Sequence, residues 1–201
     1  LLEYTGERII PKMMKMTNGM LLEHVARYYF STYYAKGRVL DIACGVGYGA
    51  HMLATTTTCT EIIGVDLSDE TIRYANAHYA HPLISFHQGD GLNHPFLLSL
   101  GTFDTIVSFE TIEHIAKDTT FVQHLHSILS PGGTLIMSTP FGQGRGMPTL
   151  EPFHVHQLTK TEFKSMFWSF STTELFVQRG MCIEPERKGV HYPIGVIVCK
   201  K

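Results

Sequence analysis

An α/β fold, with a doubly wound and mostly parallel sheet covered by helices on both faces, is what these 201 residues predict. Three observations carry that expectation. Short apolar stretches alternate with segments whose apolar residues recur at helical spacing, the pattern of strand–helix–strand units. The stretch VLDIACGVGYGA at 39–50 reads as a buried strand, a glycine-rich turn and the start of a helix; its three glycines remove side chains where the backbone must bend sharply or approach a ligand closely. Residues 173–177 and 194–200 read as strands with no helical pattern between them, so they are expected to be antiparallel neighbours at one edge.

Taken in order, residues 1–17 look irregular, punctuated by Gly6 and Pro11. Thr17 or Asn18 can cap a helix in which Leu21, Leu22, Val25, Tyr28, Tyr29 and Tyr33 recur at helical spacing to about Tyr34. Met13, Met14, Met16 and Met20 form a small cluster, suited to gap-filling contacts of a mobile segment or to a flap over a ligand. Gly37 ends that helix and the first strand follows. After the glycine turn a short helix runs to about Ala54, and 55–58 is a polar loop. Residues 61–66 make a second apolar strand that ends in an acid. Ser68 then caps a helix whose first turn carries Asp69 and Glu70, which suits the helix dipole, with Ile72, Ala75 and Tyr79 as its buried face. Pro82 breaks the pattern, and 83–88 is a third strand closed by Gly89, Asp90 and Gly91.

Residues 103–109 form a fourth strand, followed by the acid-rich 110–114. Asp118 or Thr119 starts a helix with Phe121, Val122, Leu125, Ile128 and Leu129 on one side. SPGG at 130–133 is a strong turn signal, and 134–139 is a fifth strand ended by Pro140. The Gly/Pro-rich loop 141–152 is too long for a mere connection and is expected to serve function. Thr159 and Glu162 make a capping box, and the helix behind it places Phe163, Met166, Phe167 and Phe170 at i, i+3, i+4 and i+7.

Hydrophobic residues at 44% and charged residues at 17% place the chain with soluble globular proteins. The formal net charge of -2 and the lack of a long basic run leave no electrostatic footprint for nucleic acid. Four cysteines, Cys44, Cys59, Cys182 and Cys199, are too irregularly spaced for a disulfide framework or a zinc site, and reduced thiols are expected. No apolar run approaches the roughly 20 residues of a membrane span, and the start, LLEY, lacks the parts of a signal peptide. The expected location is cytoplasmic.

The glycine turn also satisfies G-x-G-x-x-A, a dinucleotide fingerprint that is weak alone. Three acids sharpen it. Asp41 stands four residues before Gly45, giving D-x-x-x-G-x-G. Asp66 closes the second strand, where a carboxylate can accept both hydroxyls of a ribose. Asp90 closes the third, where a carboxylate can receive a hydrogen bond from an adenine amino group. Acids after successive strands suit an adenosine ligand; they would repel a pyrophosphate and tolerate a sulfonium cation.

The set VLDIACGVGYG, IIGVDLS, ISFHQGD, FDTIVSFETIEHI and LSPGGTLIMSTP, in this order and spacing, resembles the class I S-adenosylmethionine-dependent methyltransferases of small-molecule type over residues 36–140. The resemblance implies a Rossmann-like, seven-stranded sheet with a reversed last strand, as the residue pattern also suggests. It implies that Gly45 and Gly47 lie against the methionine part of the cofactor, that Asp66 holds the ribose and that Asp90 with Gly91 faces the adenine. Leu67 would pack on the adenine ring, and Phe109 and Glu110 would sit beside the cofactor. Asp41 reads as an organiser of the loop backbone more than as a direct ligand. A single methyltransferase domain is expected, with 1–35 as a helical cap, 36–140 as the cofactor-binding core, and 141–201 as substrate-side loop, helix and final strand pair.

The segment YTGERIIP at 4–11, with the helix that holds His24 and Arg27, looks like the cap of many small-molecule members. Arg8 or Arg27 could pair with the methionine carboxylate and Tyr4 could cover the cofactor; plain surface arginines are the alternative. EPFHVHQL at 151–158 resembles a stretch seen after the fifth strand in methyltransferases associated with sugar, lipid or quinone substrates. His154 and His156, two apart in extended chain, would face the same way and with His114 could supply a general base or a metal site. The sequence fixes no carboxylate beside them, so no metal is assigned. The Glu113–His114 pair has the same standing, and ordinary loop packing is the plain alternative.

The implied chemistry is in-line attack of an oxygen, nitrogen or carbon on the cofactor methyl group, with alignment and water exclusion supplied by the protein. A base matters chiefly for a hydroxyl nucleophile, and His114, His154 and His156 are the candidates. O-methylation of a sugar, lipid, quinone or other metabolite is the leading expectation. The NPPY/F signature of nucleic-acid amino-methylating enzymes is absent after the fourth strand, where SFET stands. The alternatives are a nicotinamide oxidoreductase and a non-catalytic module that holds cofactor to steady a partner. The acceptor and the oligomeric state are not legible.

Overall fold

Five parallel strands form the body of the sheet in the computed structural model, which describes residues 8–149 and 151–201. They are β1 (Lys36–Ile42), β2 (Thr58–Asp66), β3 (Ile84–Gln88), β4 (Phe103–Phe109) and β5 (Leu129–Pro140). They lie in the order β3-β2-β1-β4-β5. The chain winds outward from β1 to β3, then returns to place β4 on the other side of β1. That reversal opens a crevice at the carboxyl ends of β1 and β4, the place where open α/β sheets take ligands.

Both faces are covered, which is why these strands are continuous apolar runs. On one face Val39, Ile62, Val107 and Ile136 pack with Tyr28, Leu53, Ile72 and Ala75 from α1 (Gly19–Ser31), α2 (Tyr48–Thr56) and α3 (Asp69–His78). On the other, Leu40, Val65, Ile106 and Leu135 pack with Leu97, Phe121, Leu125 and Phe163 from α4 (His94–Ser99), α5 (Asp118–Ile128) and α6 (Lys160–Ser165). Caps set the helix starts: Asn18 Oδ1 accepts from Leu21 N–H at 3.1 Å, and Ser68 Oγ from Thr71 N–H at 3.3 Å. The capping box forms, with Thr159 Oγ1 accepting from Glu162 N–H and Glu162 Oε2 from Thr159 N–H.

The expected antiparallel pair is β6 (Thr172–Arg179) and β8 (Ile194–Lys200). The last strand is reversed as expected and lies between β5 and β6, so the pair flanks the parallel strands on one side. The sheet has eight strands rather than seven. The extra one, β7 (Cys182–Glu184), follows Gly180 at φ +57° and pairs antiparallel with β6 at the edge; three residues are too few to show a period. The six-residue α4 was also missed, because its signals are only the Asn93 cap and Pro95. Tyr29 and Tyr33, which share the helical spacing of the α1 apolar residues, are exposed and meet edge to face, Tyr33 beyond the helix end at Ser31. Among the described residues no helix is long and apolar enough to cross a membrane.

Candidate active site

The carboxyl end of β1 bends through residues of alternating hand. Ala43, Gly45 and Gly47 have φ of 63°, 53° and 86°. The turn is held by Cys44 N–H to the Val65 carbonyl (3.0 Å) and by Gly45 N–H to Asp66 Oδ2 (2.9 Å), while Asp66 Oδ1 accepts from Ser68 N–H. One carboxylate thus ties the β1 turn to the start of α3. At the end of β4, Glu110 also has positive φ (50°); its N–H donates to Ser138 Oγ, and that hydroxyl donates back to Glu110 Oε1 at 2.7 Å. A left-handed non-glycine residue costs about 1–2 kcal/mol, and such strain concentrates at functional sites. Ala43 and Glu110 border the same cavity.

That cavity measures about 680 Å³. Its lining includes Ala43, Cys44 and Gly45 after β1, Asp66 after β2, Phe109 and Glu110 after β4, and Pro140 after β5. Residues Met20, His24 and Tyr28 of α1 and the loop residues Glu151, Phe153, His154 and Gln157 complete it. Tyr28 meets Tyr48 and Phe109 edge to face, with centroids 5.4 and 5.0 Å apart. Its hydroxyl donates to Asp41, whose carboxyl burial pushes up to about 7.

Charge in the cavity is mainly negative. Asp66, Glu110, Glu113 and Glu151 line it, with Arg8 as the arginine or lysine among the described lining residues. Burial, with the neighbouring Glu110 charge, holds the Glu113 carboxyl well above the usual range. Burial, with the nearby Arg27 charge, depresses His24 well below the usual imidazole value, which makes it neutral at pH 7. Such a lining favours a cationic or uncharged guest over a phosphate.

Residues 39–133 match the model of a methyltransferase domain. A protein of Mycolicibacterium smegmatis described as a probable S-adenosylmethionine-dependent methyltransferase is 32% identical over 200 residues, covering 97% of this chain and 71% of that protein. This chain belongs to the S-adenosylmethionine-dependent methyltransferases. A Mycobacterium tuberculosis protein with the same description is 30% identical over 90% of this methyltransferase, which spans 64% of that relative's length. Tocopherol O-methyltransferase of Arabidopsis thaliana is 34% identical over 51% of this chain and 30% of its own. The fold is shared with a solved DhpI–SAM–HEP complex at a TM-score of 0.66 and 16% identity, covering 92% of this chain and 89% of the other. The cofactor is therefore S-adenosylmethionine, and the nicotinamide alternative falls.

The residues present suit that cofactor. A Cβ on Gly45 would meet nothing within 4 Å, so the backbone there opens directly onto the cavity of the methyltransferase, and the carboxylates tolerate a sulfonium. Of the residues singled out from the sequence, the fold gathers Arg8, Gly45, Asp66, Phe109, Glu110, His114 and His154 around one space. Others lie elsewhere. A Cβ on Gly47 would come within 2.6 Å of the Phe86 ring, and one on Gly91 within 2.5 Å of Phe121, so helix and sheet packing alone already demands these glycines. Asp41 is buried beneath the turn as an organiser, bonded to Tyr28. Leu67 is 69% exposed beyond Asp66 and is not part of the cavity wall. Asp90 Oδ1 accepts from Leu92 N–H outside the enclosed space. Tyr4 lies outside the described residues.

Two expectations need correction. Arg27 does not reach the cavity: its buried guanidinium donates to Gln178 Oε1 at 2.7 Å, tying α1 to β6. His154 and His156 do not face the same way, because the chain bends at Val155 between them, where the Val155 N–H donates to the Glu113 carbonyl. His156 is buried instead, with Nε2 3.1 Å from Asp118 Oδ2, beside the Arg145–Asp118 ion pair. His154 meets His114 inside the cavity, ring centroids 4.9 Å apart. Tyr28, Tyr48 and Gln157 also line the methyltransferase cavity and were not singled out for it, since only long-range packing brings them there.

Proposed function

We propose that this methyltransferase transfers the methyl group to a hydroxyl of a small molecule held between the cofactor sulfonium and the His114–His154 pair. The observation that carries the reading is that pair: two imidazoles 4.9 Å apart, on the same cavity as Gly45 and Asp66. Nitrogen acceptors that are already nucleophilic need no such group, whereas a hydroxyl must lose a proton as it reacts. The name of the tocopherol relative supports a small hydroxylated acceptor, and 680 Å³ is the size of a small-molecule pocket. In this reading Asp66 receives the ribose hydroxyls, Gly45 lies along the methionine chain, and Phe109 and Glu110 flank the methyl group. The substrate oxygen attacks the methyl carbon in line as the carbon–sulfur bond breaks, its electron pair going to sulfur, and the imidazole cluster takes up or polarises the hydroxyl proton.

The test is transfer of labelled methyl groups from S-adenosylmethionine into a panel of phenols, sugars and amines. Label is expected on oxygen, with turnover at least tenfold lower in His114→Ala while S-adenosylhomocysteine still binds. Label on nitrogen or carbon would refute the acceptor class. Bound cofactor with no turnover on any acceptor would favour a cofactor-holding module instead.

A further inference from the structure

We propose that Glu113, His114 and His154 form a binding site for one divalent first-row transition cation at the acceptor end of the cavity. The sequence sets Glu113 beside His114 and leaves His154 in a separate segment. The fold brings the three together. One ligand atom from each of the three residues lies within 4.8 Å of the others, and Glu113 Oε1 is 3.9 Å from His114 Nε2. Ligands about 2.1 Å from a shared cation stand roughly 3–4.3 Å apart, so small side-chain rotations close the set.

The geometry around His114 and Glu113 favours a metal, while His154 Nδ1 is engaged by the Gln157 amide nitrogen at 3.1 Å, which holds its ring in place. His114 Nδ1 is 3.0 Å from the Phe153 carbonyl, an oxygen that can only accept, so Nδ1 carries the proton. In the neutral ring this leaves a lone pair on Nε2, the nitrogen turned toward Glu113. An imidazole N–H fixed by a carbonyl is the usual support of a metal-bound histidine. The Glu113 side chain is 1% exposed, and Thr139 Oγ1 donates to its Oε2 at 3.1 Å, which leaves Oε1 toward the histidines. Arg27 offsets part of the Glu113 charge but makes its bond to Gln178. The loop is also fixed in place: Val155 N–H donates to the Glu113 carbonyl at 2.9 Å, so His154 is delivered by the backbone that Glu113 anchors.

Two imidazoles and a carboxylate suit manganese, iron, cobalt or zinc better than calcium or magnesium. Three protein ligands leave coordination positions open to the cavity. This part stands without the acceptor reading. Its use rests on that reading, with the imidazoles as ligands in place of proton acceptors: a hydroxyl oxygen bound at an open position is acidified and aimed, and its proton leaves to water as the oxygen takes the methyl group.

The untagged chain, stripped with EDTA, is titrated with Co²⁺ and followed by visible absorption and calorimetry. One saturable equivalent is expected, weakened at least tenfold in His154→Ala and in His114→Ala, with S-adenosylhomocysteine binding kept in both. His154→Asn serves as a second loop variant if either alanine form fails to fold. Absence of saturable Co²⁺ binding, or binding unchanged in the variants, would overturn the site and leave a Glu113–His114 ion pair only. Co²⁺ binding without methyl transfer to any hydroxyl would leave the cation site standing and overturn the proposed function.

Discussion

The hydroxyl of Tyr28 lies 3.1 and 3.2 Å from the two carboxylate oxygens of Asp41, a fully buried bond that joins α1 to β1 under the glycine turn. Burial first, with a smaller push from the Asp66 charge, raises Asp41 to about 7 against the opposing pull of that bond. An unfolded aspartate titrates near about 3.9. The folded state therefore keeps a proton that the unfolded chain has lost. The stabilisation is full below about pH 4 and is lost as pH rises through about 7, at up to about 1.4 kcal/mol per unit. Urea midpoints of the cofactor-free protein at several pH values should show this component, and Asp41→Asn should remove it. Parallel curves for the two proteins would refute it.

The glycines of the turn should separate. Gly45→Ala places a methyl group in open space at φ +53°, so it should cost about 1–2 kcal/mol of stability and weaken S-adenosylhomocysteine binding. Gly47→Ala drives a Cβ into Phe86 and Ala75 at φ +86°, so it should fail chiefly in melting temperature. Equal loss of affinity at equal stability in both would contradict this division.

Asp66→Ala should reduce cofactor affinity by about 1–3 kcal/mol, through lost ribose bonds and through release of the Gly45 N–H. A calorimetric dissociation constant equal to that of the parent would remove Asp66 from the site.

His156→Ala should lower stability by about 1–3 kcal/mol, because it empties a buried site beside the Arg145–Asp118 pair, and should leave S-adenosylhomocysteine affinity intact. Chemical denaturation beside a cofactor titration checks both. Weaker cofactor binding at unchanged stability would return His156 to the cavity.

The sheet was legible wherever burial on both faces made the strands apolar, as in 39–42 and 103–109, and wherever a polar cap marked a helix start, as at Ser68 and Thr159. Short pieces such as β7 carry too few residues for a period to show. Gly45, Asp66, Phe109 and Glu110 follow strands directly, so their place in sequence put them on the cavity, although Leu67, Asp90 and Gly91 also follow strands and stand off it. The acceptor side could not be read that way. His154 and His156 differ by two residues, yet the bend at Val155 sends them to different places. The carboxylate beside His114 was its own neighbour, Glu113, a relation that only the short turn at 112–114 makes useful. Arg27 was misplaced because its partner, Gln178, is 151 residues away.

That last distance governs the order of assembly. Besides holding Arg27, Gln178 donates to the carbonyls of Glu23 and Gly180, so the final seat of α1 is built partly from β6. During synthesis α1 emerges before β6, so its guanidinium meets Gln178 only once residue 178 has left the ribosome. Strands β1–β5 can pair meanwhile, because all of them precede Gln178 in the chain. The wall of the cavity made by His24 and Tyr28 is thus translated before the strand that completes its seat.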